Sequence, residues 1–152
     1  MKAVVQRVKR AHVSVDGKIV GEIQQGALLL VGVEQGDTEA DARTTARKIA
    51  ALRFFPGATP MDKTLLDVDG GCLVVSQFTL AGNLRKGNRP SFTAAEDPGP
   101  AEQLYTLVVE FLEDRGIAVA TGTFGAMMEI ELVNDGPVTF LLCTKDGAVL
   151  SS

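Results

Sequence analysis

The sequence predicts a single α+β domain over residues 1–152, in which an antiparallel or mixed β-sheet carries two main helices. Three observations lead there. Apolar stretches with a strand period outnumber those with a helical period. Turn signals at hairpin-like spacing stand near both ends of the chain, at Asp16-Gly17 and at Asn134–Pro137. Only two stretches, one after Thr38 and one after Pro100, set apolar residues at helical spacing. A length of 152 residues fits one domain, and no repeat, low-complexity tract or interdomain linker divides it.

Residues 2–15 alternate in part, most clearly where Ala11, Val13 and Val15 oppose Arg10, His12 and Ser14, the period of a half-buried strand. Asp16-Gly17 turns this strand back into Ile19–Ile23. Ala27–Val33 is a continuous apolar run flanked by glycine, as a strand buried on both faces requires. A helix follows: Thr38 and Asp41 approximate a capping box, and Ala42, Ala46, Ile49 and Ala50 share one face. Leu73–Phe78 reads as a further buried strand that runs into a Gly- and Arg-rich loop, 81–90. The second helix starts near Pro100, buries Leu104, Val108, Phe111 and Leu112, and stops at Gly116. Strands near 117–121, 128–133 and 138–143 close the domain, the last two joined by Asn134–Pro137, and residues 145–152 extend past them without an assigned role.

Composition narrows the function classes. No apolar run reaches the ~18 to 20 residues that cross a bilayer, and charges come too early in MKAVVQRVKR for a secretory leader, so a cytosolic protein with no membrane partner is expected. The formal charge of −4 argues against a generic nucleic-acid coat or a DNA-binding protein, whose affinity rests on many phosphate contacts. Any RNA contact must be local. The one dense basic stretch is Leu84–Pro90, with Arg7, Lys9 and Arg10 as a second small group. Cys72 and Cys143 lie in apolar runs as buried structural thiols, and no ligand spacing suggests a metal. The sole histidine, His12, shares a strand face with Arg10 and Ser14 and is expected in solvent, which leaves no Ser/His/Asp triad. No paired carboxylates bracket a cleft motif, so glycosidase and two-metal chemistry are unsupported.

Four segments remain. Ser76-Gln77-Phe78-Thr79-Leu80 ends an apolar strand, where backbone N–H groups could form an oxyanion hole or where Ser and Thr could merely satisfy a turn. Asn134-Asp135-Gly136-Pro137 is either a plain hairpin turn or a tight turn with a cis bond. Arg85–Phe92 could cradle phosphates or be a solvated surface loop. Phe124, between Gly122 and Gly125, is a base-stacking platform or a core residue.

Taken together, SQFTL at Ser76–Leu80, RKGNRPSF at Arg85–Phe92 and NDGPVTF at Asn134–Phe140 resemble the signature segments of the D-aminoacyl-tRNA deacylases, in order and spacing, with QRV at Gln6–Val8 and the helix around Ala101–Tyr105 in support. The resemblance covers nearly the whole chain. It implies the barrel-like deacylase fold and a homodimeric esterase, free of metal and cofactor, that removes a D-amino acid, or glycine mischarged on tRNA-Ala, from the tRNA 3′ adenosine. It implies catalytic roles for Gln77 and Phe78, whose backbone N–H groups polarise the ester carbonyl, and for Thr79, which contacts substrate or water. Ser76 belongs to the substrate pocket. Gly136 and Pro137, joined by a cis peptide, would reach into the other subunit's pocket as a chirality gate, while Arg85, Lys86, Arg89 and Phe124 would meet tRNA. A non-catalytic RNA-binding domain and a small-molecule esterase acting without tRNA are the rival readings.

Overall fold

The computed structural model describes residues 1–150; Ser151 and Ser152, the tip of the extension left without a role, lie outside the described residues. Among the described residues seven strands form one mixed sheet: β1 (Lys2–Val15), β2 (Lys18–Ile23), β3 (Gly26–Gly32), β4 (Gly71–Ser76), β5 (Ala118–Thr121), β6 (Glu129–Lys145) and β7 (Ala148–Val149). Their order across the sheet is β5-β4-β3-β1-β6-β7, with β2 paired to β1. The strands β3, β4 and β5 run parallel, and the connections between them carry the two helices, α1 (Glu39–Ala51) and α2 (Pro98–Asp114). That is the usual consequence of parallel pairing, which needs a long crossover.

Alternation along the strands divides the apolar residues between two faces. Ala3, Val5, Leu29, Val31, Cys72 and Val74 meet Ala46, Ile49, Val108 and Leu112 of the helices in the main core. Val8, Ala11, Val13, Leu28, Leu73 and Val75 form a second cluster on the opposite face, because there the sheet curls on itself. Gly21 marks the closure: a Cβ on it would lie 2.3 Å from the Thr121 carbonyl oxygen, so only glycine lets β2 approach β5 this closely. The architecture is a half-barrel backed by two helices, in agreement with the α+β, barrel-like expectation.

The local signals place most elements correctly. Thr38 caps α1, its N–H donating to Asp41 Oδ2 at 2.9 Å, and Asp16 and Gly17 take left-handed φ in the first hairpin. Cys72 is fully buried, which pushes its thiol up to about 12, and Tyr105 is pushed up to about 12 by burial and the neighbouring Cys72. Both cysteines are free, but Cys143 is only half-buried. Expected in solvent, His12 is instead half-buried and paired through Nε2 with Glu131 at 2.6 Å.

The hairpin expected at Asn134–Pro137 does not exist. Strands 128–133 and 138–143 are one strand, β6, paired to β1 along its length. Five steps along β6, from Asn134 to Thr139, oppose two along β1, from Val8 to Gln6, so the excess residues bulge out without reversing the chain. The second hairpin lies instead at Asp146-Gly147, and it docks residues 145–150 on α1, with Thr44 Oγ1 donating to the Gly147 carbonyl at 2.8 Å.

Candidate active site

The end of β4 builds the first part of the site. Ser76, half-buried, pairs with Val31 of β3, and the ladder continues one residue further because the Gln77 N–H donates to the Val31 carbonyl at 2.7 Å. The chain then tightens into a single 3₁₀ turn over Phe78–Ala81, closed by Leu80 N–H on the Gln77 carbonyl at 3.2 Å and Gly82 N–H on the Thr79 carbonyl at 2.9 Å. Gly32 permits this fold-back, since a Cβ there would stand 2.9 Å from the Gln77 carbonyl oxygen.

One expectation fails at this turn. The Gln77 amide is spent on β3 and offers no donor to a ligand. The amides of Phe78 and Thr79 open the turn and have no partner among the described residues. Gln77 contributes its side chain instead, its Nε2 donating to Thr79 Oγ1.

The basic loop meets this turn through an aromatic pair. Phe78 is exposed, and its ring stands edge-on to Phe92 with centroids 5.2 Å apart. Asn83 and Ser91 close the loop by reciprocal backbone bonds of 2.7 and 3.0 Å, leaving Leu84–Pro90 projecting into solvent. Arg85, Lys86 and Arg89 lie there, and none of them pairs with a carboxylate among the described residues. A shallow depression opens between Asn83, Arg85, Lys86 and Ser91. Phe124 is half-buried with its ring 5.8 Å from that of Tyr105, whose hydroxyl donates to the Val74 carbonyl at 2.8 Å.

Gly136 and Pro137 form a cis peptide, and Gly136 has φ +129°, a region closed to side-chain-bearing residues. The bulge that holds them is fixed by side chains. Arg7 is buried and donates from Nε to the Asp135 carbonyl at 3.0 Å and from Nη1 to the Phe54 carbonyl at 2.9 Å, with Asp135 Oδ2 3.6 Å from Nε. Asn134 Oδ1 accepts the Val138 N–H at 3.1 Å, and Asn134 Nδ2 donates to Thr139 Oγ1 at 2.9 Å. In the sequence Arg7 stands with Lys9 and Arg10 in one small basic group, which assigns it no role in holding the bulge. The signal was available: Arg7 continues the Ala3, Val5 inward face of β1, where a charge must find partners.

Within the chain, Ser76–Thr79 and the basic loop come together, but the Gly136-Pro137 bulge does not join them. Register puts the bulge level with Ala27 and Cys72, three strands across and four residues along from Ser76, on the order of 20 Å at ordinary strand spacings.

Residues 4–143 match the family model described as D-Tyr-tRNA(Tyr) deacylase. The chain belongs to that family. It is 54% identical over 143 residues to a D-aminoacyl-tRNA deacylase of Geobacter metallireducens, covering 93% of this chain and 95% of that protein. It is 51% identical to the D-aminoacyl-tRNA deacylase of Halalkalibacterium halodurans, covering 95% of this chain and 100% of that protein. Among solved structures it is similar to a c-Myc DNA unwinding element binding protein, with a TM-score of 0.89 and 38% identity over 95% of this chain and 99% of the other. A probable eukaryotic D-amino acid tRNA deacylase shares the fold, with a TM-score of 0.78 at 17% identity over 92% and 97% of the two chains. Against this deacylase family, the SQFTL turn, the basic loop and the NDGP bulge are the three segments whose geometry calls for a chemical account.

Proposed function

We propose that this protein acts in the cytoplasm as a homodimer and hydrolyses the ester joining a D-amino acid, or glycine mischarged on tRNA-Ala, to the tRNA 3′ adenosine. The observation that carries the reading is the pair of unpartnered amides at Phe78 and Thr79, held rigidly beside a loop of three unpaired cations. Preorganised donors of this kind stabilise the oxyanion of a tetrahedral intermediate by ~3 to 4 kcal/mol each in serine hydrolases. The nucleophile is water, oriented by the terminal ribose 2′-OH, because no side-chain base stands at the turn: the sole histidine is engaged with Glu131. Thr79 accepts from Gln77 and keeps its own proton available for a substrate oxygen. Ser76 and the Gln77 carboxamide line the amino-acid end of the pocket, and Arg85, Lys86 and Arg89 bind tRNA phosphates.

Chirality is read by exclusion. With ammonium and ester fixed, inverting the α-carbon exchanges the directions of hydrogen and side chain, so a rigid wall on one side rejects the L-substrate and lets glycine through. The Asn134–Pro137 bulge has the required rigidity, being held by Arg7 and Asn134. Its distance from the pocket of its own chain supports a second copy as the site it serves, and the exposed Phe140 and Leu141 on β6 offer that copy an apolar surface.

The test is hydrolysis of D-Tyr-tRNA, L-Tyr-tRNA, Gly-tRNA-Ala and a free D-tyrosine ester. Cleavage of the first and third with sparing of the second supports the reading; binding of D-Tyr-tRNA without hydrolysis, or equal rates on the free ester, overturns it. Neutralising Arg85, Lys86 and Arg89 together is expected to lower the slope of log K against log salt by up to roughly three units, about one per lost phosphate contact.

A further inference from the structure

The second basic group noted in the sequence is divided by the fold. Arg7 and Val8 are both buried, whereas Lys9 and Arg10, which follow them, are both exposed, a double break in a strand that alternates before and after it. The cause is the break in register beside the bulge. The β1–β3 ladder ends at Val8 with Gly26, the β1–β2 ladder begins at Ala11 with Ile23, and β6 passes from Asn134, opposite Val8, to Val133, opposite Arg10. Among the described residues Lys9 has no ladder partner on either side, so it and Arg10 stand out from the sheet one ladder step from Asn134. Arg7, two residues away, is neutralised beside Asp135, but neither Lys9 nor Arg10 pairs with a carboxylate among the described residues.

Two unpaired cations beside a bulge are an anion-binding surface of the same chemistry as the 85–89 loop. In one chain the two groups lie at opposite ends of the sheet, since Val8 is level with Gly26 and Gly71, whereas the loop follows the far end of β4 at Ser76. We infer that Lys9 and Arg10 bind backbone phosphates of the tRNA acceptor end in trans: they complete the grip of the other subunit's Arg85, Lys86 and Arg89 on the substrate whose ester lies in that subunit's pocket. The inference rests on the dimeric deacylase reading and adds to it an RNA contact that no single chain can make.

The experiment uses the full-length protein with Lys9→Gln and Arg10→Gln together. Both side chains are exposed, so the melting temperature stays within a few degrees of the wild type and folding is not in question. Affinity for D-Tyr-tRNA should fall about 5- to 10-fold near 0.1 M salt, with the salt slope lower by roughly 1.5 to 2 units, as for two lost phosphate contacts. Relative to the phosphate-free ester D-tyrosyl-adenosine, kcat/KM for the tRNA substrate should drop by the same factor. Mixed dimers decide the geometry. One subunit carries the Lys9/Arg10 substitutions and the other carries Arg85→Gln, Lys86→Gln and Arg89→Gln; contact in trans leaves one site of each dimer with wild-type affinity, whereas contact in cis leaves none. Absence of that site, an unchanged affinity and salt slope in the double variant, or an equal loss toward a DNA duplex would overturn the inference. A wild-type protein that is monomeric or inactive on D-Tyr-tRNA removes the underlying reading, a failure visible before any variant is made.

Discussion

In the proposed reaction the SQFTL turn and the NDGP bulge would both present backbone to the substrate, but they are held by different means. The backbone of the turn is tied by main-chain bonds, Gln77 to Val31, Leu80 to Gln77 and Gly82 to Thr79, with one side-chain bond, Gln77 to Thr79, across its outside. Its side chains are half-buried or exposed and do not carry the main-chain ties. The bulge has lost its ladder partners, and the Asp135 carbonyl and the Val138 amide are satisfied by the side chains of Arg7 and Asn134. A site tied by backbone tolerates substitution, and a site tied by side chains concentrates its vulnerability in one or two residues.

The largest effect expected from that contrast is at Arg7. Alanine there leaves the Asp135 and Phe54 carbonyls without their donor and Asp135 without its cation, which costs ~2 to 4 kcal/mol for a buried, charge-assisted set. At ~2 to 4 °C per kcal/mol for a domain of this size, melting should fall by at least about 4 °C, and the ratio of D- to L-Tyr-tRNA hydrolysis should collapse. Lysine reaches one of the two carbonyls but not both and should recover part of the loss. An Arg7→Ala protein with wild-type melting and selectivity would show that the bulge has another support.

Gly136 comes next. Its φ of +129° strains any other residue, and a Cβ would stand 2.8 Å from Val138 Cγ2 and 3.0 Å from Arg7 Nη2. Gly136→Ala should therefore cost ~1 to 3 kcal/mol and shift the bulge, so that selectivity falls further than stability does. Asn134→Ala removes the acceptor of the Val138 N–H and one of the bonds to Thr139, worth ~1 kcal/mol, and should loosen discrimination several-fold; denaturant melts and the two Tyr-tRNA rates check both variants.

What could be read from the sequence follows the same divide. The Thr38–Asp41 cap and the Asp16-Gly17 turn act over a few residues, and both stand where their residues suggested. Asn134–Pro137 carries equally local turn chemistry, yet whether the chain reverses there depends on β1 being long enough, at 14 residues, to pair with both halves of β6. No local pattern contains that information. Gln77 teaches the same lesson in the candidate site: its place at a strand end was legible, but the loss of its amide to Val31 depends on how far a neighbouring parallel strand extends. Arg7 differs, because its inward phase follows from the alternation of β1 itself, in which Ala3, Val5 and Arg7 share one face.

The smallest effect should come from Thr79→Ala, and its smallness is the sharpest test of the backbone-held half of the comparison. The hydroxyl looks like the obvious nucleophile, since it sits at the end of a strand, exposed, beside a polar side chain. For it to attack an ester, a base must take its proton during bond formation. Gln77 cannot, because it donates to Thr79 Oγ1 through Nε2, and His12 is held on another strand by Glu131. The Thr79 amide, by contrast, survives replacement by alanine. If that amide and the Phe78 amide stabilise the oxyanion, Thr79→Ala keeps its main catalytic contribution and loses only one hydroxyl contact, worth ~1 kcal/mol, which corresponds to less than a tenfold fall in kcat/KM. The exposed position predicts an unchanged melting temperature. Rapid quenching of wild-type turnover with D-Tyr-tRNA should trap no acyl-enzyme. A covalent tyrosyl ester on Thr79, or a folded alanine variant slowed by a thousandfold or more, would transfer the chemistry from backbone to side chain, and the distinction between the two regions would no longer hold.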